Sequence, residues 1–216
     1  PPSPPPSPPP PMVPRPIDSV AELETALTWM RQEESLLGGR IVSLVLVNGS
    51  FELTPSILQL LTFSSADPSE IILQGSGGTI VRSASPTSRR RAQSTGLSGA
   101  MINVLAGAPP IIVRGLIFEA SDDAPAIGIA GSMRIENCVF ARNRGAAVII
   151  HFGARATIQS SQFTDNGGTG RTSGGAVVAQ GGHLDIADSH FTNNVALSGS
   201  ALHVDGRSTE LTGDVS

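Results

Sequence analysis

Acidic residues are the first candidates for chemistry in this chain. Asp122 and Asp123 are adjacent, and Asp185, Asp188 and Asp205 recur toward the C-terminus. Two carboxylates at a fixed separation are what a glycoside hydrolase needs, one as the general acid and the other as the base or nucleophile. No second acidic motif accompanies the Asp122–Asp123 pair, and separated aspartates are more typical of solvated turns. The acidic residues therefore leave a hydrolase or lyase as an alternative, and no catalytic residue is assigned.

The histidines and the single cysteine form no recognisable metal or nucleophile motif. The spacing of the four histidines fits no zinc site, and we expect them at the surface, with one of them in a Gly-Gly turn. Cys138 has no apparent base partner, so we expect a small buried thiol rather than a nucleophile. We therefore predict no metal and no cofactor. The histidines are His151, His183, His190 and His203.

Charge and hydropathy argue against two kinds of partner. The formal net charge is −4, which gives no general attraction to nucleic acid, and no apolar run reaches the roughly 18 residues of a membrane span. The basic run from Arg89 to Arg91 is a candidate for binding an anionic polysaccharide, a protease site or a solvated loop. Asn48 begins the N-glycosylation sequon Asn-Gly-Ser, although the same Asn-Gly pair also fits an unmodified turn.

A repeat in the second half of the chain indicates which structure positions these residues. The segments VRGLIFEAS, IENCVFARN, IQSSQFTDN and IADSHFTNN follow one another at intervals in the twenties, a period typical of a solenoid. Each begins with an aliphatic residue and has phenylalanine sixth, and in the last three an asparagine follows three residues later. The phenylalanines are Phe118, Phe140, Phe163 and Phe191, and the asparagines are Asn143, Asn166 and Asn194.

A second block in each unit predicts a short strand that ends near a glycine: AIGIAG, AVIIHFG, AVVAQG and ALHVDG. Alternate residues of a strand share one face, so one set should point inward and the set between should face outward. Units whose inward residues match stack best as coils of a right-handed parallel β-helix, about 4.8 Å apart. Aligned phenylalanines and asparagines then form ladders, and the amides satisfy one another. The expected outward residues are Gly128, Ile149, Val178 and His203.

Two segments of different composition precede the coils. Residues 1–16 include PPSPPPSPPPP, whose prolines favour polyproline II, either as a stiff stalk or as a disordered linker. Residues 17–39 predict a capping α-helix, because Val20, Leu23, Leu27 and Met30 recur at helical spacing. Residues 40–216 are assigned to the β-helix. The predicted fold class is therefore all-β, a right-handed parallel β-helix with an N-terminal capping helix and a polyproline II segment.

The frame I-x-x-[CS]-x-F-x-x-N resembles the pectin-lyase-like right-handed β-helix superfamily, and SQFTDNGG is similar to repeats of polymorphic outer membrane proteins and related adhesins. An N-terminal capping helix is usual in that superfamily. Its hydrolases carry Asn-Thr-Asp, Asp-Asp, Gly-His-Gly and Arg-Ile-Lys motifs, of which this chain has the Asp-Asp pair alone. Its lyases need a calcium-binding aspartate cluster with a basic residue nearby. The resemblance thus implies a fold that hosts enzymes, adhesins and fibres alike.

The opening tract resembles the Ser-Pro-Pro-Pro stalks of hydroxyproline-rich glycoproteins of plants and green algae. That resemblance implies hydroxylated prolines that carry O-linked glycans, in an extracellular wall, matrix or flagellar surface. The main functional prediction is a structural subunit of an extracellular glycoprotein fibre, with a polysaccharide-binding adhesin and a polysaccharide lyase or hydrolase as alternatives. The candidate prolines are Pro4, Pro5, Pro6, Pro8, Pro9, Pro10 and Pro11.

The last residues predict how copies would assemble. Leu211 follows Gly206 at the interval that separates Ile158 from Gly153, so a further coil is expected to start there and its phenylalanine position falls at Ser216. An uncovered coil end presents unpaired backbone groups and invites pairing. We therefore expect either more chain beyond this point or head-to-tail contact with the helix cap or proline stalk of another copy, which generates a fibre.

Overall fold

Three parallel sheets form the walls of the molecule. The computed structural model describes residues 16–32, 41–47, 49–64, 70–76, 80–83, 100–119, 124–167, 175–205 and 211–212. Sheet A contains β1 (Pro16–Ile17), β2 (Ile41–Val47), β5 (Glu70–Ser76), β8 (Ile111–Arg114), β11 (Ser132–Glu136), β14 (Arg155–Gln159), β17 (His183–Ala187) and β20 (Leu211–Thr212). Sheet B contains β3 (Ser50–Leu53), β6 (Ile80–Ser83), β9 (Ile117–Glu119), β12 (Val139–Ala141), β15 (Gln162–Thr164) and β18 (His190–Thr192). Sheet C contains β4 (Thr62–Phe63), β7 (Ile102–Val104), β10 (Ile127–Ile129), β13 (Val148–Ile150), β16 (Val177–Gln180) and β19 (Leu202–Asp205).

The chain passes from sheet A to sheet B to sheet C and then begins again one strand further along. We call each such circuit a coil: coil 1 runs from β2 to β4, and coil 6 runs from β17 to β19. Neighbouring strands within every sheet are parallel, which confirms the parallel β-helix predicted from the repeat. Because successive coils pair in register, each interior position has the same position of the next coil directly beside it.

The interior is filled by columns of matched aliphatic residues. In sheet A, Val113, Ile135, Ile158 and Ile186 pair in succession, and each is fully buried. Strand β11 shows why: Met133 and Ile135 point inward, whereas Arg134 between them is exposed. This period-2 alternation gives each coil one apolar face, and stacking the coils joins these faces into a continuous core.

Two helices cover the N-terminal end of the coils. Helix α1 (Val20–Gln32) begins where the Ser19 hydroxyl accepts a hydrogen bond from the Glu22 amide at 3.3 Å, which satisfies one of the free N–H groups of the first turn. Its residues Leu23, Leu27 and Met30 are buried in the core. A shorter helix, α2 (Pro55–Leu60), lies between β3 and β4 and packs against α1. Helix α1 lies within residues 17–39, where the capping helix was expected.

The N-terminal strand lies one residue earlier than the assigned boundary. Pro16 and Ile17 form β1 and pair with Val45 and Leu46 of β2, so Pro16 belongs to sheet A and not to the stalk. The expected polyproline II conformation of residues 1–15 lies outside the described residues.

One detail of the expected register is wrong. Leu211 pairs with Leu184 and not with Ile186, because the connection that precedes β20 is longer than the one that precedes β17. The phenylalanine position of the next coil therefore does not coincide with Ser216. On sheet C, Gly128, Ile149, Val178 and His203 pair in one column, as the repeat predicts, but Val178 is 2% exposed and Gly128 is also buried, so the outward face is covered at these two residues.

The buried outer residues of sheet C lie in one column. Their column includes Asn103, which pairs with Gly128 and is itself 8% exposed. The side of sheet C that faces away from the interior is therefore covered along these coils. Ile149 and His203 in the same column are partly exposed, so the cover is incomplete.

Candidate functional site

A ladder of asparagines connects coils 4, 5 and 6. The Asn143 side-chain N–H donates to the Asn166 Oδ1 at 2.8 Å, and the Asn166 side-chain N–H donates to the Asn194 Oδ1 at 2.9 Å. The same oxygens accept from the backbone amides of Asn143 at 3.3 Å and Asn166 at 3.0 Å. Each side-chain oxygen thus receives two hydrogen bonds from the preceding coil, which fixes both the side chain and the bend that carries it.

All three asparagine amides also donate to the backbone of the preceding coil. Asn143, Asn166 and Asn194 donate to the carbonyl oxygens of the phenylalanines one coil earlier, at 3.1, 2.9 and 2.9 Å. Asn143 is fully buried and Asn166 is 1% exposed, so an unpaired amide here would carry the full desolvation penalty of a buried polar group. The ladder removes that penalty and couples each coil to the coils on both sides.

The four phenylalanines form a continuous stack beside this ladder. The ring centroids of Phe118 and Phe140 are 5.0 Å apart, those of Phe140 and Phe163 are 4.8 Å apart, and those of Phe163 and Phe191 are 4.7 Å apart. The last two pairs are within 3° of parallel. Since these distances match the spacing of strands in a sheet, the rings stack without distorting the coils. The structure therefore places all the sequence-derived ladder residues in two adjacent interior columns.

A third column, which sequence reasoning did not identify as a ladder, lies at the bend between sheets A and B. The Ser161 hydroxyl accepts from the Cys138 amide and the Ser189 hydroxyl accepts from the Ser161 amide, both at 3.2 Å. Each serine hydroxyl donates to the carbonyl two residues earlier. Leu116 occupies the same position one coil before Cys138. The residue before each member of the column has a left-handed backbone, with φ from 50° to 65° at Gly115, Asn137, Ser160 and Asp188.

Cys138 is an inert member of that column. Its thiol is 1% exposed and contacts the Glu136 carbonyl at 3.3 Å. Burial raises the pKa of the Cys138 thiol to about 12, so the thiolate required of a nucleophile is not formed at neutral pH. The expectation of a small buried thiol is confirmed.

The candidate acidic residues that the structure describes lie on separate elements. Asp185 is half-buried in β17, while Asp188 lies at an exposed bend and Asp205 ends β19 at the surface. Within the described part of the chain, no group of three or more His, Cys, Asp or Glu side chains is placed to hold a metal ion. Other sequence-derived candidates lie outside the described residues, namely Asn48, Asp122, Asp123, Arg89 to Arg91, and the prolines between Pro4 and Pro11.

The histidines differ in their surroundings. His190 is exposed in β18, and His203 in β19 is partly exposed and lies 3.2 Å from the Ser198 hydroxyl. His183 begins β17 and is not part of a turn. His151 is also not a simple surface residue: its Nε2 atom is buried and has no hydrogen-bond partner among the described residues. Burial lowers the pKa of His151 below its usual value.

A shallow groove of about 480 Å³ lies at the corner where the chain passes from sheet C to sheet A. It forms because the two-residue connection after β10 is shorter than the six- and four-residue connections on either side. Phe152, on the longer connection after β13, lines the groove and is 80% exposed. Its ring lies against Gly181, where an added Cβ would be 2.7 Å from the ring. Arg155 lines the same groove and is exposed.

The fold and its ladders define a protein of the right-handed β-helix class. A family model described as the right-handed beta helix region matches residues 45–214, and the chain belongs to that family. The match confirms the predicted hand of the helix. No curated protein and no solved structure gives a significant match. Among the described helices, none is long and apolar enough to cross a membrane.

Proposed function

We propose that this protein is a structural subunit of an extracellular fibre or surface matrix, assembled end to end from β-helices. One observation carries the proposal: exposed large apolar side chains concentrate in coil 6. Val195, Leu197 and Val204 are 49%, 74% and 44% exposed, and Phe191 at the end of the ring stack is only partly buried. An apolar surface of this kind is typical of a protein–protein contact.

The two ends of the described β-helix differ in a way that supports this contact. At the N-terminal end, α1 buries Leu23, Leu27 and Met30 over the first coil. At the other end, β18 and β19 are the outermost described strands of sheets B and C. An outermost strand is a template for pairing with another chain. Contact between two unlike ends is heterologous, and it produces a filament unless the rotation closes a ring.

The experiment is sedimentation of the full chain over a range of concentrations. We expect the weight-average mass to rise with concentration, and Leu197→Asp to suppress the rise because a charge is placed in the apolar contact. Phe152→Asp is the matched control, since Phe152 is as exposed but lies on the side of the coils. A wild-type chain that stays monomeric at high concentration, or equal effects of the two variants, would contradict the proposal.

The proline tract is proposed to be the glycan-bearing part of the same subunit. Its support is the PPSPPPSPPPP sequence itself, in which Ser3 and Ser7 interrupt contiguous prolines. Sugars on Pro4 to Pro6 and Pro8 to Pro11 would surround a rod that lacks side-chain bulk. Peptide mapping of native material should find hydroxyproline with O-linked sugar there, and unmodified prolines would refute this part of the proposal. Glycan at Asn48 would be detected in the same experiment and would support an extracellular location.

A second candidate function, a polysaccharide-binding adhesin, is favoured by the corner groove. Phe152 offers an exposed ring and Arg155 offers a planar cation in the same groove, which suits a sugar ring that carries an acidic group. Binding of soluble polygalacturonate, measured by calorimetry, should be lost in both Phe152→Ala and Arg155→Ala if this function is correct. Binding that survives both substitutions would exclude this groove as the binding site.

A further inference from the structure

The asparagine ladder contains a dipeptide that is chemically unstable in a free chain. Asn166 is followed by Gly167. In an Asn-Gly sequence the glycine amide nitrogen, after losing its proton to water or hydroxide, attacks the asparagine Cγ and expels ammonia. The resulting succinimide takes up one water and opens to aspartate or isoaspartate. Glycine favours this reaction because no side chain hinders the attack and its backbone reaches the required conformation easily.

The folded ladder holds both reacting groups away from this reaction. The Gly167 amide, the attacking group, donates its proton to the Asn143 carbonyl at 2.8 Å. The Asn166 side chain, the electrophile, is fixed by its hydrogen bonds to Asn143, Asn194 and the Phe140 carbonyl. Asn166 is also 1% exposed, so its side chain is packed in place and cannot rotate freely toward the Gly167 nitrogen.

The Gly167 backbone is held as firmly as the side chain. Gly167 pairs with Val195 of coil 6, and a Cβ added at Gly167 would lie 1.9 Å from the Val195 carbonyl oxygen. Its φ of 93° lies in the left-handed region, which favours glycine. The packing that requires glycine at this position therefore also creates the reactive dipeptide.

We propose that Asn166–Gly167 is a deamidation site that is silent in the folded coil and becomes reactive when coil 6, and then coil 5, separates from the rest of the β-helix. Coil 6 supplies the Asn194 oxygen that holds the Asn166 amide, and it also supplies Val195 beside Gly167. Separation of coil 6 removes these two contacts, and the remaining hydrogen bonds of Asn166 and Gly167, to Asn143 and the Phe140 carbonyl of coil 4, are lost when coil 5 follows. Local opening of this kind occurs without global unfolding in many proteins.

The modification is expected to make the opening permanent. An aspartate side chain at position 166 has two oxygen acceptors and no N–H donor. One of its oxygens would face the Phe140 carbonyl and the Asn194 Oδ1, to which Asn166 now donates, and these acceptors would repel one another. An isoaspartate lengthens the main chain by one carbon atom and displaces Gly167 from Val195. In either case coil 6 cannot return to its original register. A chain that has opened for long enough to deamidate therefore keeps the modification and the altered contact between coils.

The test compares deamidation rates by peptide mapping of the full, unglycosylated chain at mildly alkaline pH, with and without denaturing urea. Asn48–Gly49 is the second Asn-Gly dipeptide in the sequence and provides an internal reference in denaturant, where both sites should react alike. Without urea we expect Asn166 to deamidate at least about 100-fold more slowly than in urea, because only the open fraction reacts. Equal rates at Asn166 with and without urea would overturn the proposal.

A variant pair tests the role of coil 6. Asn194→Ala should accelerate native-state deamidation of Asn166 by about 10-fold, since the population of the open form rises, and should leave the rate in urea unchanged. Thr192→Ala, an exposed position in the same coil, is the control and should have no effect. An unchanged rate in Asn194→Ala would overturn the proposal. If that variant does not fold, the wild-type rate at sub-denaturing urea decides: a rise before the global transition supports separation of coil 6, and a rise only with that transition refutes it.

Discussion

Removal of one ring from the phenylalanine stack should destabilise the protein strongly. Phe163 is fully buried and lies between two parallel neighbours, with ring centroids 4.8 Å from Phe140 and 4.7 Å from Phe191. Phe163→Ala removes a ring that contacts both adjacent coils and leaves a cavity that the ladders on either side prevent from closing. Substitutions of this kind cost about 3–5 kcal/mol. We expect about 4 kcal/mol, since two ring contacts are lost together.

The measurement is urea unfolding followed by far-ultraviolet circular dichroism. With a denaturant slope of about 2–3 kcal/mol/M, a loss of 4 kcal/mol lowers the unfolding midpoint by about 1.3–2 M. Trp29 fluorescence should be recorded in parallel, because Trp29 lies in α1 and reports on the N-terminal end. If the two signals no longer coincide in the variant, the coils have unfolded separately, as repeat proteins can.

Two further variants make the reasoning refutable. Phe191→Ala should cost less, about 1–2 kcal/mol, because Phe191 is partly exposed and is the last described ring of the stack. Phe152→Ala should cost less than about 0.5 kcal/mol, since that side chain is 80% exposed. A cost below about 1 kcal/mol for Phe163→Ala, or equal costs for all three variants, would mean that the stack does not stabilise the coils.

Three other outcomes are expected. Asn166→Ala should lower the unfolding free energy by about 3 kcal/mol, because it leaves several buried polar groups unpaired; a loss no larger than that of a surface substitution would contradict the ladder. Ser160→Val should lower the unfolding free energy by about 1–2 kcal/mol in the same assay, because Ser160 has φ of 50° and a β-branched side chain is strained there. Ser160→Gly should be nearly neutral. Equal stabilities of the two variants would refute the strain. Cys138 should react with a thiol reagent only after unfolding, and stability should fall as the pH rises from about 9 toward 12, because the folded thiol keeps a proton that the unfolded chain releases. Cys138→Ser should abolish that alkaline loss, and an unchanged pH profile would exclude the thiol as its cause.

The interior of the coils could be predicted from the sequence because its spacing is constrained. Each phenylalanine must lie beside the phenylalanine of the next coil, so Phe140, Phe163 and Phe191 recur at a fixed distance from the strand that precedes them. The asparagines follow at a fixed distance for the same reason. Pairing between coils therefore imposes a pattern on the sequence, and that pattern is sufficient to identify the fold and both ladders.

The corners and outer surfaces could not be predicted in this way. Ser161 and Ser189 align with Cys138 in the repeat, which predicts that they point inward at a bend, but the hydrogen bonds that join them into a ladder could not be predicted because serine is also common in exposed turns. The connections between sheets C and A vary in length, which misplaced Leu211 and concealed the groove beside Phe152. Burial of Val178 on the outer face depends on what covers sheet C, and the local strand pattern contains no information about that.

Strand β1 is the first contact that a pulling force on the N-terminal segment would break. Strand β1 is held in sheet A by two residues, Pro16 and Ile17, which pair with β2, whereas the coils that follow share sheets, ring stacks and amide ladders. Tension applied through residues 1–15 would break these two pairings first and would next load α1, which is held by Leu23, Leu27 and Met30. The β-helix would then yield in stages from its tethered end, and the coils that carry the ladders would be the last to extend. A protein held in this way would lengthen under load before the coils fail.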